Sequence, residues 1–182
     1  MFASKRLGKE LTKVGPSPTL DPLWETARHP RIQQDYILIS DLQMHSSLPP
    51  GVEIIRADDL EEWLMDIRVL DSNPIYLNEI YRLKFTFSKS YPIEPPEVQF
   101  VKYPDRPIPI HPHIYSNGII CLDLLGTAGW SPVQTVESVC VSIQSMLTGN
   151  TRNKRPDGDD SFVSQGKTRP RDVNFIYEDP NV

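Results

Sequence analysis

Apolar and polar residues alternate with a helical period at both ends of this chain and with a strand period between them. Leu7, Leu11 and Val14 fall at i, i+4 and i+7, while Lys5, Arg6, Lys9 and Glu10 face elsewhere, which predicts a short helix over residues 4–14. Gly15-Pro16-Ser17-Pro18 ends it, and no sustained period returns before Gln43. A first strand is predicted over 52–57. Trp63, Met65, Ile67 and Val69 then alternate with Leu64, Asp66, Arg68 and Leu70, as expected of a half-buried strand. After the turn Asp71-Ser72-Asn73-Pro74, Tyr81, Leu83, Phe85 and Phe87 alternate with Arg82, Lys84, Thr86 and Ser88. Residues 98–101 make a fourth strand, and the short turns imply an antiparallel meander.

The period becomes helical again downstream. Val136, Val139, Cys140, Ile143, Met146 and Leu147 share one helical face, and Gly149-Asn150 stops it. A short helix is expected around 160–163. Helix, four strands, a long loop and C-terminal helices make an α+β chain with helices on one face or at the ends of the sheet. Residues 1–166 read as one domain interrupted by 14–43, and 167–182 as a flexible tail with aromatic spots at Phe175 and Tyr177.

Composition narrows the class of function. A chain of 182 residues with net charge −5 and a pI near 5.4 lacks the basic field that non-specific nucleic-acid binding needs. Two cysteines are no disulfide framework and suggest a reducing compartment, cytoplasm or nucleus. Met1-Phe2-Ala3-Ser4-Lys5-Arg6 lacks an apolar signal core, and no stretch has the ~18 apolar residues of a membrane span.

The chemistry concentrates in His111-Pro112-His113-Ile114-Tyr115-Ser116-Asn117-Gly118-Ile119-Ile120-Cys121-Leu122, followed by Trp130-Ser131-Pro132. A thiolate carries acyl groups well, and a fixed loop beside it can hold donors for an oxyanion. The bland alternative for Cys121 is a buried structural thiol, and Cys140 on its apolar helix face reads as core. A metal site on His111, His113 and Cys121 lacks a fourth ligand, and proline splits the histidine pair. His111 reads as a loop brace. Asp123 either orients an incoming amine or is a solvated carboxylate. Trp130 reads more as packing than contact. Asp157, Asp159 and Asp160 are by default a solvated acidic run.

Taken in order, the opening Lys5-Arg6-Leu7, the run Tyr91-Pro92-Ile93-Glu94-Pro95-Pro96-Glu97, the His-Pro-His and Asn117–Leu122 motifs and Trp130-Ser131-Pro132 resemble the ubiquitin-conjugating enzymes. The resemblance covers roughly residues 4–13 and 44–162. It implies the fold of that family. It also implies that Cys121 accepts ubiquitin from an activating enzyme as a thioester and passes it to an amine on a protein substrate, with a RING-type or U-box ligase as guide. Lys5, Arg6, Pro92, Ile93, Pro132 and Val133 occupy the family's ligase-docking positions, and an exposed Ile93 would favour that role. ATP belongs to the activating enzyme, so no cofactor is expected. An acidic residue gates the site in the family, and Asp160 is the candidate here. A silent ubiquitin-binding scaffold of the same fold is the competing reading.

One departure is informative. The family's usual triad is His-Pro-Asn, and His111-Pro112-His113 is similar instead to the W-type subgroup, which modifies protein N-termini. An α-amine with pKa ~7.7–8.0 is several hundred-fold richer in free base near neutral pH than a lysine at ~10.4. An enzyme for N-termini therefore needs less help in stripping a proton. His113 could donate to an oxyanion or brace the loop.

Residues 14–43 interrupt the resemblance. Without them Lys13 runs directly into Met44-His45-Ser46-Ser47-Leu48-Pro49-Pro50-Gly51, and a minimal family member remains. A valine codon begins with GT and a glutamine codon can end in AG, so the segment reads either as a retained intron or as a genuine, weakly ordered surface insertion.

Overall fold

The structure is a computed structural model and describes residues 6, 48–59, 61–166, 168–173 and 175. Four strands, β1 (Val52–Arg56), β2 (Glu62–Ile67), β3 (Tyr81–Thr86) and β4 (Glu97–Phe100), pair in sequence order, every neighbour antiparallel. The expected meander is therefore present. Its register places Met65 opposite Leu83 and Leu83 opposite Phe100. These residues join Val52, Ile54, Trp63, Ile67, Tyr81, Phe85 and Val98 in one apolar cluster.

Helix α1 (Val136–Thr148) packs on that cluster through Val136, Val139, Cys140, Ile143 and Leu147. Cys140 lies fully inside, its sulfur 3.9 Å from that of Met65, as the apolar stripe predicts. Thr135 and Ser138 start the helix with a capping box. The Ser138 N–H donates to Thr135 Oγ1 at 3.1 Å and the Thr135 N–H to Ser138 Oγ at 2.9 Å. The short helix expected around 160–163 is α2 (Asp159–Ser164).

Strand β2 differs from the expected half-buried strand. Leu64 is 5% exposed and Asp66 3%, so both faces are covered. The carboxylate survives burial because two guanidinium groups pair with it. Arg82 Nε donates to Oδ1 at 2.7 Å, and Arg106 Nε to Oδ2 at 2.9 Å. Arg82 also lies over the Tyr103 ring, 4.6 Å from its centroid, and closes the patch.

The tail also differs from the expected loose end, as far as it is described. Residues 170–172 form a 3-10 turn against β4, and Arg169 and Arg171 both pair with Glu97. Phe175 stacks near Tyr115, 6.0 Å between centroids. Tyr177 lies outside the described residues. So does the predicted first helix apart from Arg6, which is helical, and so does all of 14–43.

Candidate active site

The loop that delivers Cys121 is pinned by its own backbone. Ile114 pairs with both His111 and Ile120, the Tyr115 N–H donates to the Ile119 carbonyl at 2.9 Å, and the Gly118 N–H to Tyr115 at 2.8 Å. Gly118 sits at φ 89°, and a Cβ there would come within 1.9 Å of the Phe100 carbonyl oxygen. Only glycine fits the turn. Ile114, Ile119 and Ile120 plug into the interior, and the chain emerges at Cys121, which is half-buried. The Cys121 N–H donates to the His113 carbonyl at 2.8 Å, tying the sulfur-bearing residue to the triad.

Burial sets the protonation of the three groups. It pushes the Cys121 thiol up to about 11, so the sulfur is a neutral thiol near pH 7. Desolvation, then repulsion from His113, lowers His111 to about 4 against a bond to the Met146 carbonyl. His111 Nδ1 accepts the His113 N–H at 2.9 Å, so its proton sits on Nε2. Both ring nitrogens are engaged, which fits the loop-brace reading and leaves a metal without that ligand. Burial also lowers the half-buried His113, whose ring lies 5.4 Å from that of His111. His113 is thus neutral, with one donor and one acceptor nitrogen. Asp123 is exposed and opens the 3-10 turn 123–125 just past the cysteine.

A second wall comes from the segment after α1. The Tyr115 ring stacks on Phe162 of α2 at 3.8 Å between centroids. Burial is the main cause that holds the Tyr115 hydroxyl above its ordinary value, and the negative forms of Cys121 and Asp159 add to it. Asp159 Oδ1 accepts the Ser116 N–H at 2.8 Å, whereas Asp160 is exposed. The acidic residue at the site is therefore Asp159 and not the expected Asp160. The turn at Gly158, with φ 79°, sets which carboxylate faces the loop. Arg155 was not anticipated from the sequence. Its guanidinium binds backbone carbonyls on both sides of the triad. Phe162, a lone aromatic in a polar run, was the available signal for this wall.

The candidate docking residues form a separate surface. Ile93 is 72% exposed and Val133 77%, with Pro132 exposed and Pro92 half-buried beside them. Trp130 Nε1 donates to the Pro92 carbonyl at 2.8 Å, and its ring is buried against Tyr91, so it packs as expected and holds the two segments together. Arg6 Nη2 reaches the Gln134 carbonyl at 3.4 Å, which brings that side chain to the same surface. Lys5 lies outside the described residues.

Comparison with known proteins agrees with this geometry. A family model described as "Ubiquitin-conjugating enzyme" matches residues 31–171. A protein of Dictyostelium discoideum named "Probable ubiquitin-conjugating enzyme E2 W" is 42% identical over 142 residues, 78% of this chain and 91% of its own. "Ubiquitin-conjugating enzyme E2 W" of Caenorhabditis elegans is 37% identical over 143 residues, covering 77% and 91%. The crystal structure of ubiquitin-conjugating enzyme E2 UbcA1 from Agrocybe aegerita superposes with a TM-score of 0.66 at 38% identity, over 77% of this chain and 95% of that one. The match runs through the meander, the loop bearing Cys121 and the helices behind it, and on these grounds the chain belongs to the ubiquitin-conjugating enzymes.

Proposed function

We propose that ubiquitin is carried on Cys121 as a thioester and is passed to the α-amino group at the N-terminus of a protein. The observation that carries this reading is the half-exposed Cys121 joined through its N–H to His113, whose imidazole is neutral. In loading, the Cys121 sulfur attacks the thioester carbonyl on the activating enzyme. The proton it loses goes to the departing thiolate; a thiol held at about 11 is mostly protonated near pH 7, so this handover accompanies the attack. In transfer, the amine attacks the new thioester, the tetrahedral oxyanion collapses, and the Cys121 sulfur leaves as thiolate and takes the proton from nitrogen. The ring N–H of a neutral His113 is a candidate donor to that oxyanion.

The preference for N-termini is supported by the His-Pro-His triad and by relatives named E2 W. Neither His113 nor Asp123 has to deprotonate a lysine if the acceptor is an α-amine, already several hundred-fold richer in free base. The exposed Ile93 and Val133 support ligase docking at the surface that Trp130 holds together. The test is an acceptor protein without lysines, with its N-terminus free or acetylated. Ubiquitin on the free form alone supports the reading. No modification of the free form, with ready modification of a lysine-bearing acetylated form, overturns it. A silent scaffold of the same fold would load no ubiquitin at all.

A further inference from the structure

The loop on which Cys121 and His113 depend is held from behind by one side chain that sequence reasoning passes over. Arg155 lies in the extended segment between α1 and α2 and is half-buried. Its Nη1 donates to the Pro109 carbonyl at 2.6 Å and to the Ile114 carbonyl at 3.1 Å, and its Nη2 to the Ile108 carbonyl at 3.0 Å. These carbonyls flank His111-Pro112-His113 on both sides. A planar guanidinium has donors that diverge from two nitrogens, and here they gather strands of backbone that approach from different directions.

The connection to the sulfur is short. The Ile114 carbonyl that accepts from Arg155 belongs to the same peptide unit as the Tyr115 N–H, which donates to the Ile119 carbonyl. That carbonyl shares its peptide unit with the Ile120 N–H, one residue before Cys121. Each peptide polarises the next, so the charge strengthens the bonds that fix the loop to the sulfur-bearing strand. Asp159, four residues on from Arg155, takes the Ser116 N–H at 2.8 Å. One segment therefore grips the carbonyls of the loop with a cation and its next N–H with an anion.

We infer that Arg155 is a positioning residue for amine transfer, because its guanidinium fixes the backbone that sets His113 against the thioester on Cys121. The inference rests on the reading of Cys121 as the carrier. It separates the two half-reactions. Loading is assisted by the activating enzyme's own site, whereas transfer without a ligase relies on the geometry of this loop. Misplacing a reacting group by about an ångström costs up to about a hundredfold in rate.

The experiment loads ubiquitin onto wild-type protein, Arg155→Ala and Arg155→Lys, removes ATP, and follows release to a free amine acceptor in single turnover. Arg155→Ala is expected to load within about twofold of wild type and to release about ten- to a hundredfold more slowly. Millimolar ethylguanidinium should restore part of the release rate, and ethylammonium should not, a contrast that a merely structural role would not produce. Arg155→Lys keeps the charge but offers one nitrogen where two are used, so it should fold and still release several-fold more slowly. If the alanine variant fails to fold, the lysine variant decides. Wild-type release from a folded variant, or loading and release that fall in parallel with no guanidinium rescue, overturns the inference. Wild-type protein that fails to load overturns the Cys121 reading beneath it.

Discussion

Replacing His111 by asparagine should flatten the acid side of the stability curve. His111 is buried, 4% exposed, and its folded-state affinity for a proton falls from 6.5 to about 4. The unfolded chain therefore binds a proton that the folded chain refuses between those values. Stability from this group is full above 6.5, declines as the pH falls toward about 4, and levels off below it. The whole gap corresponds to about 3 kcal/mol, and about 2 kcal/mol of it falls between about pH 7.5 and about pH 5. Burial lowers His113 as well, so its slope has the same sign and stays in both proteins. The assay is urea unfolding followed by tryptophan fluorescence at the two pH values, for wild type and His111→Asn. The loss of stability on acidification should be smaller in the variant by about 2 kcal/mol. Equal losses in the two proteins would refute the picture of a neutral imidazole bracing the triad through Nδ1.

Other consequences follow from the same geometry. With its thiol at about 11, Cys121 should be alkylated by iodoacetamide at a rate that climbs about tenfold per pH unit from about 7 to about 10; a plateau near about 8.5 would mean an unperturbed thiol. Gly118→Ala forces a Cβ onto the Phe100 carbonyl at a positive φ and should cost at least about 2 kcal/mol of stability; a thermal midpoint within a degree or so of wild type would contradict the tight turn. Glu97 is raised by burial but lowered more by its bonds to Arg169 and Arg171, so its carboxyl lies below the usual 4.5. The stability it lends is present above 4.5 and is lost as the pH falls through the lower folded value. Measured against the intrinsic rate at each pH, amide protection in residues 168–173 should fall across that acid range in wild type and be low throughout in Glu97→Gln. Identical protection in the two would show that the ion pairs do not hold the tail.

What the sequence disclosed depended on how local the cause was. Strand β3 was legible because only its Tyr81, Leu83 and Phe85 face enters the core, which leaves a clean alternation. Helix α1 was legible because one stripe meets the sheet. Strand β2 was not, since Asp66 is buried by arginines 16 and 40 residues away, and no local pattern announces such partners. Cys121 and His113 stood out through the motif around them. Asp159 was confused with Asp160 because a left-handed turn at Gly158 decides which one faces the loop, and neighbouring aspartates look alike in one dimension. Arg155 and the Glu97 pairs were invisible for a related reason. They bind carbonyls or charges brought close only by the fold.

The central claim is that the sulfur at Cys121 carries ubiquitin. Incubation with activating enzyme, ubiquitin and ATP, followed by electrophoresis with and without reductant, tests it most directly. Wild type should give an adduct one ubiquitin heavier that a thiol reductant removes, Cys121→Ser an adduct that resists it, and Cys140→Ala the wild-type pattern. A reducible adduct that persists in Cys121→Ser, or none in wild type, would contradict the account.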